Sequence, residues 1–447
     1  MWNSTRLKPK VFIKTFGCQM NENDSEYILG QLLRIGYQKS EDIFQAKLII
    51  VNSCCVRAKV EQKIFSFLGK LKEIKEKNPE IILGIGGCMV QKEKENIFRK
   101  APYVDFIFDP SIVNNLIKII QEIKPNKKIS FFQEKAKEFH LNGIPIERKN
   151  NLSALIQIMR GCNNFCSYCI VPYTRGREQS RTVSDIIAEV KSLSKMNYKE
   201  IVLLGQNVNS YGKDSSETVD FPKLLSLLNK IEKIKRIRFI TSHPKDFDYN
   251  LIQVIKENNK ICEHIHLPIQ SGSDKILRIM NREYDATKYK KIIKEIRNNI
   301  KEVSITTDVM VGFPGETEED FRDTLNIFKE LEFDSAFTFI YSNRENTVAS
   351  LMPGQVPLLI KKKRLWKLID LQEKISTKIN KNLEGKVLEI LVEKKSTKNI
   401  SHQNQLSGRT RTNKTVVFVG QEELIGELVQ VKIVKADTWT LYGELLK

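Results

Sequence analysis

The stretch IQIMRGCNNFCSYCIVPYTRGREQSR, residues 156–181, opens as a β-rich segment and runs into Cys162, Cys166 and Cys169 in a C-x3-C-x2-C spacing. Three soft thiolates packed this closely make a metal-site spacing. A structural zinc wants four ligands, and most electron-carrying iron–sulfur clusters take four cysteines. A four-iron cluster held by only three thiolates keeps one iron open to an exchangeable ligand. The alternative is a zinc site completed by a distant histidine, although zinc sites more often pair C-x2-C knuckles.

Outward from this stretch the chain keeps a strand–helix rhythm. Strand candidates are ALIQIM, EIVLLG, RIRFIT, HIHLPI, VSITTDVMVG and SAFTFIYS, separated by amphipathic stretches such as VSDIIAEVKSLSKM. About six such units fall short of the eightfold barrel, so an open (βα)6 partial barrel is expected, with its active face at the carboxyl ends of the strands. Polar and glycine-rich residues collect there: Gly205, Gln206 and Asn207 after the second strand, TSHP after the third, and Gln270 within LPIQSGS after the fourth. His264 and His266 share one face of a strand; His266 reads as a substrate- or cofactor-side residue or as a satisfied core histidine.

Upstream, one plan recurs three times: KVFIKTFGCQMNENDSEYILG, AKLIIVNSCCVRAKVEQKIF and EIILGIGGCMVQKEKENIF each read as strand, loop and helix. In the first, Asp24 or Ser25 can cap the helix. Units of this length build a doubly wound parallel sheet, whose carboxyl edge is where such sheets bind ligands. Cys18, Cys88 and one of the adjacent pair Cys54 and Cys55 should therefore converge on a shared metal centre. Periodicity does not choose between Cys54 and Cys55. Cys262 stands alone before a strand and reads as packing.

Composition sets the wider frame. The chain has 447 residues, eight cysteines and a formal charge of +19. No apolar run is long enough to span a membrane and the N-terminus lacks a signal-peptide pattern, so a cytoplasmic protein with reduced cysteines is expected. The charge points to a polyanion such as nucleic acid, although a chain this rich in Lys, Ile and Asn also fits an A+T-rich genome. Part of the excess is local, with eight basic residues between Lys361 and Lys381 against Asp370 and Glu373. From Glu384 onward, short β-branched and aromatic segments read as a small β-barrel in which Arg409, Arg411 and Lys414 crowd one hairpin.

GCQMN, NSCCVR, GGCM, MRGCNNFCSYCIVPYTRGRE, HLPIQSGSDKILRIMNR and DVMVGFPGETEEDF together resemble the radical S-adenosylmethionine methylthiotransferase family over nearly the whole chain. The resemblance implies a methylthiotransferase domain over residues 8–126, a radical core over 150–382 and an RNA-binding TRAM domain over 384–447. It implies two 4Fe-4S clusters, one on Cys162, Cys166 and Cys169 and the other on Cys18, Cys54 and Cys88. Cys55 then falls where the family usually has a small residue. It also implies S-adenosylmethionine, with Gly205, Gln206, Asn207, His266 and Gln270 on the cofactor side and Arg409, Arg411 and Lys414 on RNA. Gln19-Met20-Asn21 and LSGRTRTNKTVVF favour the branch that methylthiolates carbon-2 of isopentenyladenosine beside the tRNA anticodon. Sister branches act on threonylcarbamoyladenosine or on a ribosomal protein, and a non-catalytic RNA-binding iron–sulfur protein is the third reading. The family implies a low-potential donor of flavodoxin or ferredoxin type, and a monomer with no membrane partner is expected. If basic residues meet tRNA phosphates, affinity will fall linearly with rising salt on logarithmic axes; filter binding across a potassium chloride series measures the slope.

Overall fold

In the computed structural model, residues 8–55, 58–110, 116–132, 139–215, 218–396 and 404–446 are described. Fully buried runs such as LIIVNS demand a parallel sheet covered on both faces. The chain builds one from β1 (Lys10–Thr15), β2 (Gln38–Lys39), β3 (Leu48–Ser53), β4 (Ile82–Gly87), β5 (Phe106–Phe108) and β6 (Ile129–Phe131). Their order is β2-β1-β3-β4-β5-β6, every pair parallel. Ile49, Val51 and Ile85 pack into a core on one face, Leu48, Ile50 and Phe106 into a core on the other. This is the doubly wound layer the repeats predict. It runs past residue 126, because β6 joins the sheet and Phe139 and Leu141 complete its second core.

The second layer holds β7 (Ser153–Gln157), β8 (Met159–Arg160), β9 (Gln179–Ser180), β10 (Glu200–Leu204), β11 (Arg236–Phe239), β12 (His264–His266), β13 (Ser304–Val311) and β14 (Ser335–Ile340). β8 and β9 form a small antiparallel ribbon; the other six are all parallel. They form two three-stranded sheets, β11-β10-β7 and β12-β13-β14, joined through the Ile237–Ile261 bridge. The barrel is open between β7 and β14, as the six units predict. An open edge leaves backbone groups unpaired. Here the helix Gln19–Arg34 of the first layer covers it. Asn23 Nδ2 and Arg148 Nη1 donate to the Leu155 carbonyl of β7, and Met20 packs on Val202 and Leu204.

That helix begins earlier than expected. Its N-cap is Cys18, and Asp24 and Ser25 lie buried inside it. Tertiary partners override their capping preference: Arg175 Nη2 donates to Asp24 at 2.7 Å, and Ser25 Oγ lies 2.8 Å from Thr15 Oγ1.

The third layer is a closed barrel of β15 (Val387–Lys395), β16 (Gln405–Thr410), β17 (Thr415–Val419), β18 (Leu428–Ala436) and β19 (Leu441–Leu445), in the order β15-β16-β17-β19-β18. β16 has no apolar alternation to betray it, because Gly408 must pass close to the Leu391 carbonyl of β15. The hairpin between β16 and β17 seals the amino end of the larger barrel. Arg238 donates to the Thr410 and Arg411 carbonyls at 2.7 Å each while pairing with buried Glu200, also at 2.7 Å. Arg236 reaches the Arg409 carbonyl at 2.7 Å and Glu389 at 2.8 Å. Removing one partner of such a buried pair strands the other charge. Arg238→Met should therefore lower unfolding free energy by about 3–5 kcal/mol in urea titrations and accelerate hydrogen exchange in Gln405–Thr410.

Candidate metal centres and cofactor cavity

The loops after β1, β3 and β4 meet because glycines let them. Gly17 and Gly87 adopt φ of +122° and +96°, immediately before Cys18 and Cys88. A Cβ on Gly17 would strike the Cys54 side chain, and one on Gly87 would strike the Ser53 carbonyl. Asn52 and Asn21 lock these loops together: Asn52 Nδ2 donates to the Asn21 carbonyl at 2.8 Å, and Asn21 Nδ2 donates to that of Ser53 at 2.9 Å. Cys54 thus lies against the Cys18 turn, while Cys55 hydrogen-bonds to Cys88. Both are buried. That hydrogen bond, with the nearby Arg175 guanidinium, brings the Cys88 thiol below the ordinary cysteine range against the opposing effect of burial. Arg175 Nε donates to Cys88 Sγ at 3.2 Å, and its Nη2 donates to Asn21 Oδ1 at 3.2 Å.

The second cysteine group sits at the carboxyl end of β7. Gly161, with φ of +76°, leaves no room for a Cβ beneath the Arg177 carbonyl, and Cys162 N donates to the Gly176 carbonyl at 3.1 Å. Arg282 Nη1 donates to Cys166 Sγ at 3.4 Å, and the Asn164 amide to Cys162 Sγ at 3.5 Å. Burial pushes the Cys162 thiol up to about 11 and the Cys169 thiol to about 12. The two groups face each other. Arg175 follows the second group in sequence and binds the first, while Arg344, whose charge acts on Cys169, donates to the Cys55 carbonyl at 2.9 Å. Cys262 is buried packing on the far side, as expected.

Among the described residues no three His, Cys, Asp or Glu side chains close on one point as a single metal ion requires. A four-iron cluster makes a different demand, because it sets its thiolates apart on separate corners. Three thiolates with cationic donors beside them fit such a group.

The other expected residues lie where the strands end. Gln206 Oε1, Asn207 Oδ1, Asn209 Oδ1, Ser242 Oγ and His243 Nε2 are buried without a partner among the described residues. Burial and the neighbouring Arg282 hold His243 neutral. Its Nδ1 accepts from the Lys245 amide, so the Nε2–H is a free donor. Five orphaned polar atoms in loops after adjacent strands fit a polar ligand rich in amino, carboxylate and hydroxyl groups. Gln270 is buried at φ of +69° and bridges to Val309. His264 and His266 are likewise buried, and they share Thr306 Oγ1, at 3.1 Å from His264 Nε2 and 2.9 Å from His266 Nδ1. Both rings line a cavity of about 850 Å³ inside the barrel, which extends from Gln19 to the hairpin that seals its amino end.

The hairpin arginines and lysine do not form an open basic surface. Arg409 pairs with Glu393 at 2.6 Å, Arg411 with Glu263 at 2.6 Å and Lys414 with Asp334 at 2.7 Å. Their charges are neutralised within the chain at the junction of the two barrels. The basic run from Lys361 is thinned as well, since Lys361 and Arg364 are buried and Arg364 pairs with Glu316 at 2.8 Å. Sequence reasoning missed Arg175, Arg282 and Arg344 as the cationic partners of the cysteines. Arg175, inside TRGRE, carried the one available signal, a charge adjoining the cysteine motif.

Family models match three segments: the radical SAM superfamily over residues 156–328, the uncharacterized protein family UPF0004 over 10–109, and the TRAM domain over 381–446. The fold is shared with TsrM, a radical S-adenosylmethionine methyltransferase from Kitasatospora setae, at TM-score 0.57 and 12% identity, over 76% of this chain and 75% of that one. Barrel, cysteine motif and family model together define a radical S-adenosylmethionine enzyme. A tRNA-2-methylthio-N(6)-dimethylallyladenosine synthase from Thermoanaerobacter pseudethanolicus is 48% identical over 97% of this chain and 92% of its own length. One from Clostridium botulinum is 49% identical over 97% and 96%. The chain belongs to this family of tRNA methylthiotransferases, and its cofactors are 4Fe-4S clusters and S-adenosylmethionine.

The Gly161 turn offers a direct test of the second cysteine group. Gly161→Ala forces a side chain into the Arg177 carbonyl at positive φ, a strain of about 1–3 kcal/mol. Anaerobically reconstituted variant should bind roughly half the iron of wild type, which a four-iron cluster at each group sets at about eight per chain.

Proposed function

We propose that this protein methylthiolates carbon-2 of N(6)-isopentenyladenosine next to the anticodon of tRNA. The observation that carries this reading is the opposition of two three-cysteine groups tied to each other through Arg175 and Arg344. In this reading Cys162, Cys166 and Cys169 hold one four-iron cluster and Cys18, Cys54 and Cys88 the other. Bound there, the clusters would supply reductive cleavage of S-adenosylmethionine at one site and the sulfur chemistry of methylthiolation at the other. One electron per cleavage comes from a low-potential carrier of flavodoxin or ferredoxin type. The hydrogen on carbon-2 of adenine is not acidic, so no side chain of ordinary pKa removes it.

The protein's own part is positional. Arg282 and Arg175 place fixed positive charge beside the thiolates and the charge they carry when loaded. Gln206, Asn207, Ser242 and His243 offer unpaired polar atoms where the cofactor's polar groups would be held. His266 lies within the barrel, and its Nε2 is 3.5 Å from Asp308. Gly205 is closely packed, since a Cβ there would press on Met159. The N-terminal layer shuts the lateral opening and excludes water, which a radical reaction requires. The target adenosine lies in a single-stranded loop, where a base can be splayed out without breaking a helix. With the hairpin cations paired internally, the small barrel serves RNA through its remaining surface, while Arg409, Arg411 and Lys414 hold it in place.

Nucleoside mass spectrometry of tRNA from cells lacking the gene should show isopentenyladenosine without its methylthio form. Wild-type chain should restore it, and Cys166→Ala should not. A methylthio group missing from threonylcarbamoyladenosine instead would reassign the substrate. Within the first cysteine group, Cys54→Ala should lose about half the iron and Cys55→Ala should keep it; the opposite iron counts would move the ligand role to Cys55.

A further inference from the structure

The radical site needs an electron from outside, and the barrel's mouth is capped by the N-terminal layer. The flank beside the cysteine loop is not. There the 3-10 turn Val348–Leu351 leads into the helix Leu358–Lys381 and exposes large apolar side chains. Leu351 is 89% exposed, Leu359 80% and Trp366 67%, with Val348 and Leu358 also more than half exposed. Single exposed leucines are ordinary; five apolar side chains within one short segment mark a contact surface. The segment is held rather than loose. Gln355 Nε2 donates to the Ala349 and Met352 carbonyls at 3.2 and 3.0 Å, and the Gly315 amide donates to that of Gly354 at 2.9 Å.

This surface is wired to the cysteine loop. The Ala349 amide donates to the Ser167 carbonyl at 2.8 Å, and Ser167 stands between Cys166 and Cys169. Ala349 is fully buried in a small cluster with Phe313 and Tyr341, against which Tyr168 of the cysteine loop packs. From Leu351, two residues of backbone and one hydrogen bond lead into the cysteine loop. Charge marks the same flank more narrowly: Lys361 and Arg364 are buried, Arg364 pairs with Glu316 and Lys367 with Glu318, and Lys362 and Lys363 point to solvent. Lys362 and Lys363 are exposed one helical turn from Leu359 and Trp366.

We propose that this apolar surface with its lysine rim docks the acidic, low-potential carrier that reduces the radical site. It rests on the functional reading above. One electron leaves the carrier's reduced flavin or iron–sulfur centre, which is oxidised by one, and the four-iron group on Cys162, Cys166 and Cys169 is reduced by one. Transient redox partners use small interfaces steered by opposite charge, and an apolar centre flanked by Lys362 and Lys363 suits an acidic protein. A phosphate backbone gains nothing from exposed leucines, which argues against RNA on this face.

The test uses the full-length, anaerobically loaded enzyme. Leu351→Ser/Leu359→Ser and Lys362→Glu/Lys363→Glu are compared with wild type for S-adenosylmethionine cleavage driven by reduced bacterial flavodoxin, by reduced bacterial ferredoxin, and by dithionite. Flavodoxin binding by calorimetry at two salt concentrations and tRNA affinity are measured alongside. With at least one protein carrier, both variants should cleave about tenfold more slowly and bind less tightly, the lysine pair also losing salt dependence. Dithionite-driven cleavage, iron content and tRNA affinity should stay at wild-type values. Unchanged rates with both carriers, an equal fall under dithionite, or a loss of tRNA affinity would each overturn the docking proposal. No cleavage by wild type even with dithionite would instead overturn the functional reading beneath it.

Discussion

One buried guanidinium holds the two halves of this molecule in register. Arg175 comes from the loop that follows the second cysteine group, yet its partners, Cys88, Asn21 and Asp24, all belong to the first layer. Burial lifts the Asp24 carboxyl above its ordinary range, and the arginine offsets that only in part. A charge placed there is stable only while both layers are present, since either one alone leaves an unpaired ion in a dry place. The opposed cysteine groups, the closed barrel edge and the covered cavity all presuppose that contact.

Much of this was legible in the chain. Buried β-branched runs ending in Gly-Cys or Ser-Cys announced a parallel sheet with cysteines at its carboxyl edge, and the six strand segments of the barrel fall where their pattern places them. What the chain did not show shares a cause. Asp24 and Ser25 look like helix caps, and Arg409, Arg411 and Lys414 look like an RNA surface, because a sequence displays a polar side chain's preference but not its tertiary partner. Each of these residues meets a group ten or more residues away in sequence. β16 was hidden for a different reason. Its glycine is there for backbone proximity, and that erases the alternation by which strands are recognised.

The helix Gln19–Arg34 serves two sites at once. Its first two turns carry Asn21 and Asp24 beside the first cysteine group, and its buried face covers the edge of β7. Any movement that opens the barrel sideways therefore also disturbs the loop bearing Cys18. Access to the cavity from the side and integrity of that metal centre are coupled by a single element.

The shared contact at Thr306 has an electronic corollary. A hydroxyl has one hydrogen, so Thr306 can donate to only one of the two imidazoles it touches and must accept from the other. The Asp308 carboxylate near His266 Nε2 favours a proton on that nitrogen, leaving His266 Nδ1 to accept from the threonine. His264, held neutral by burial, must then carry its proton on Nε2 and donate it to the same oxygen. Two rings are thus set in defined tautomers by one aliphatic alcohol.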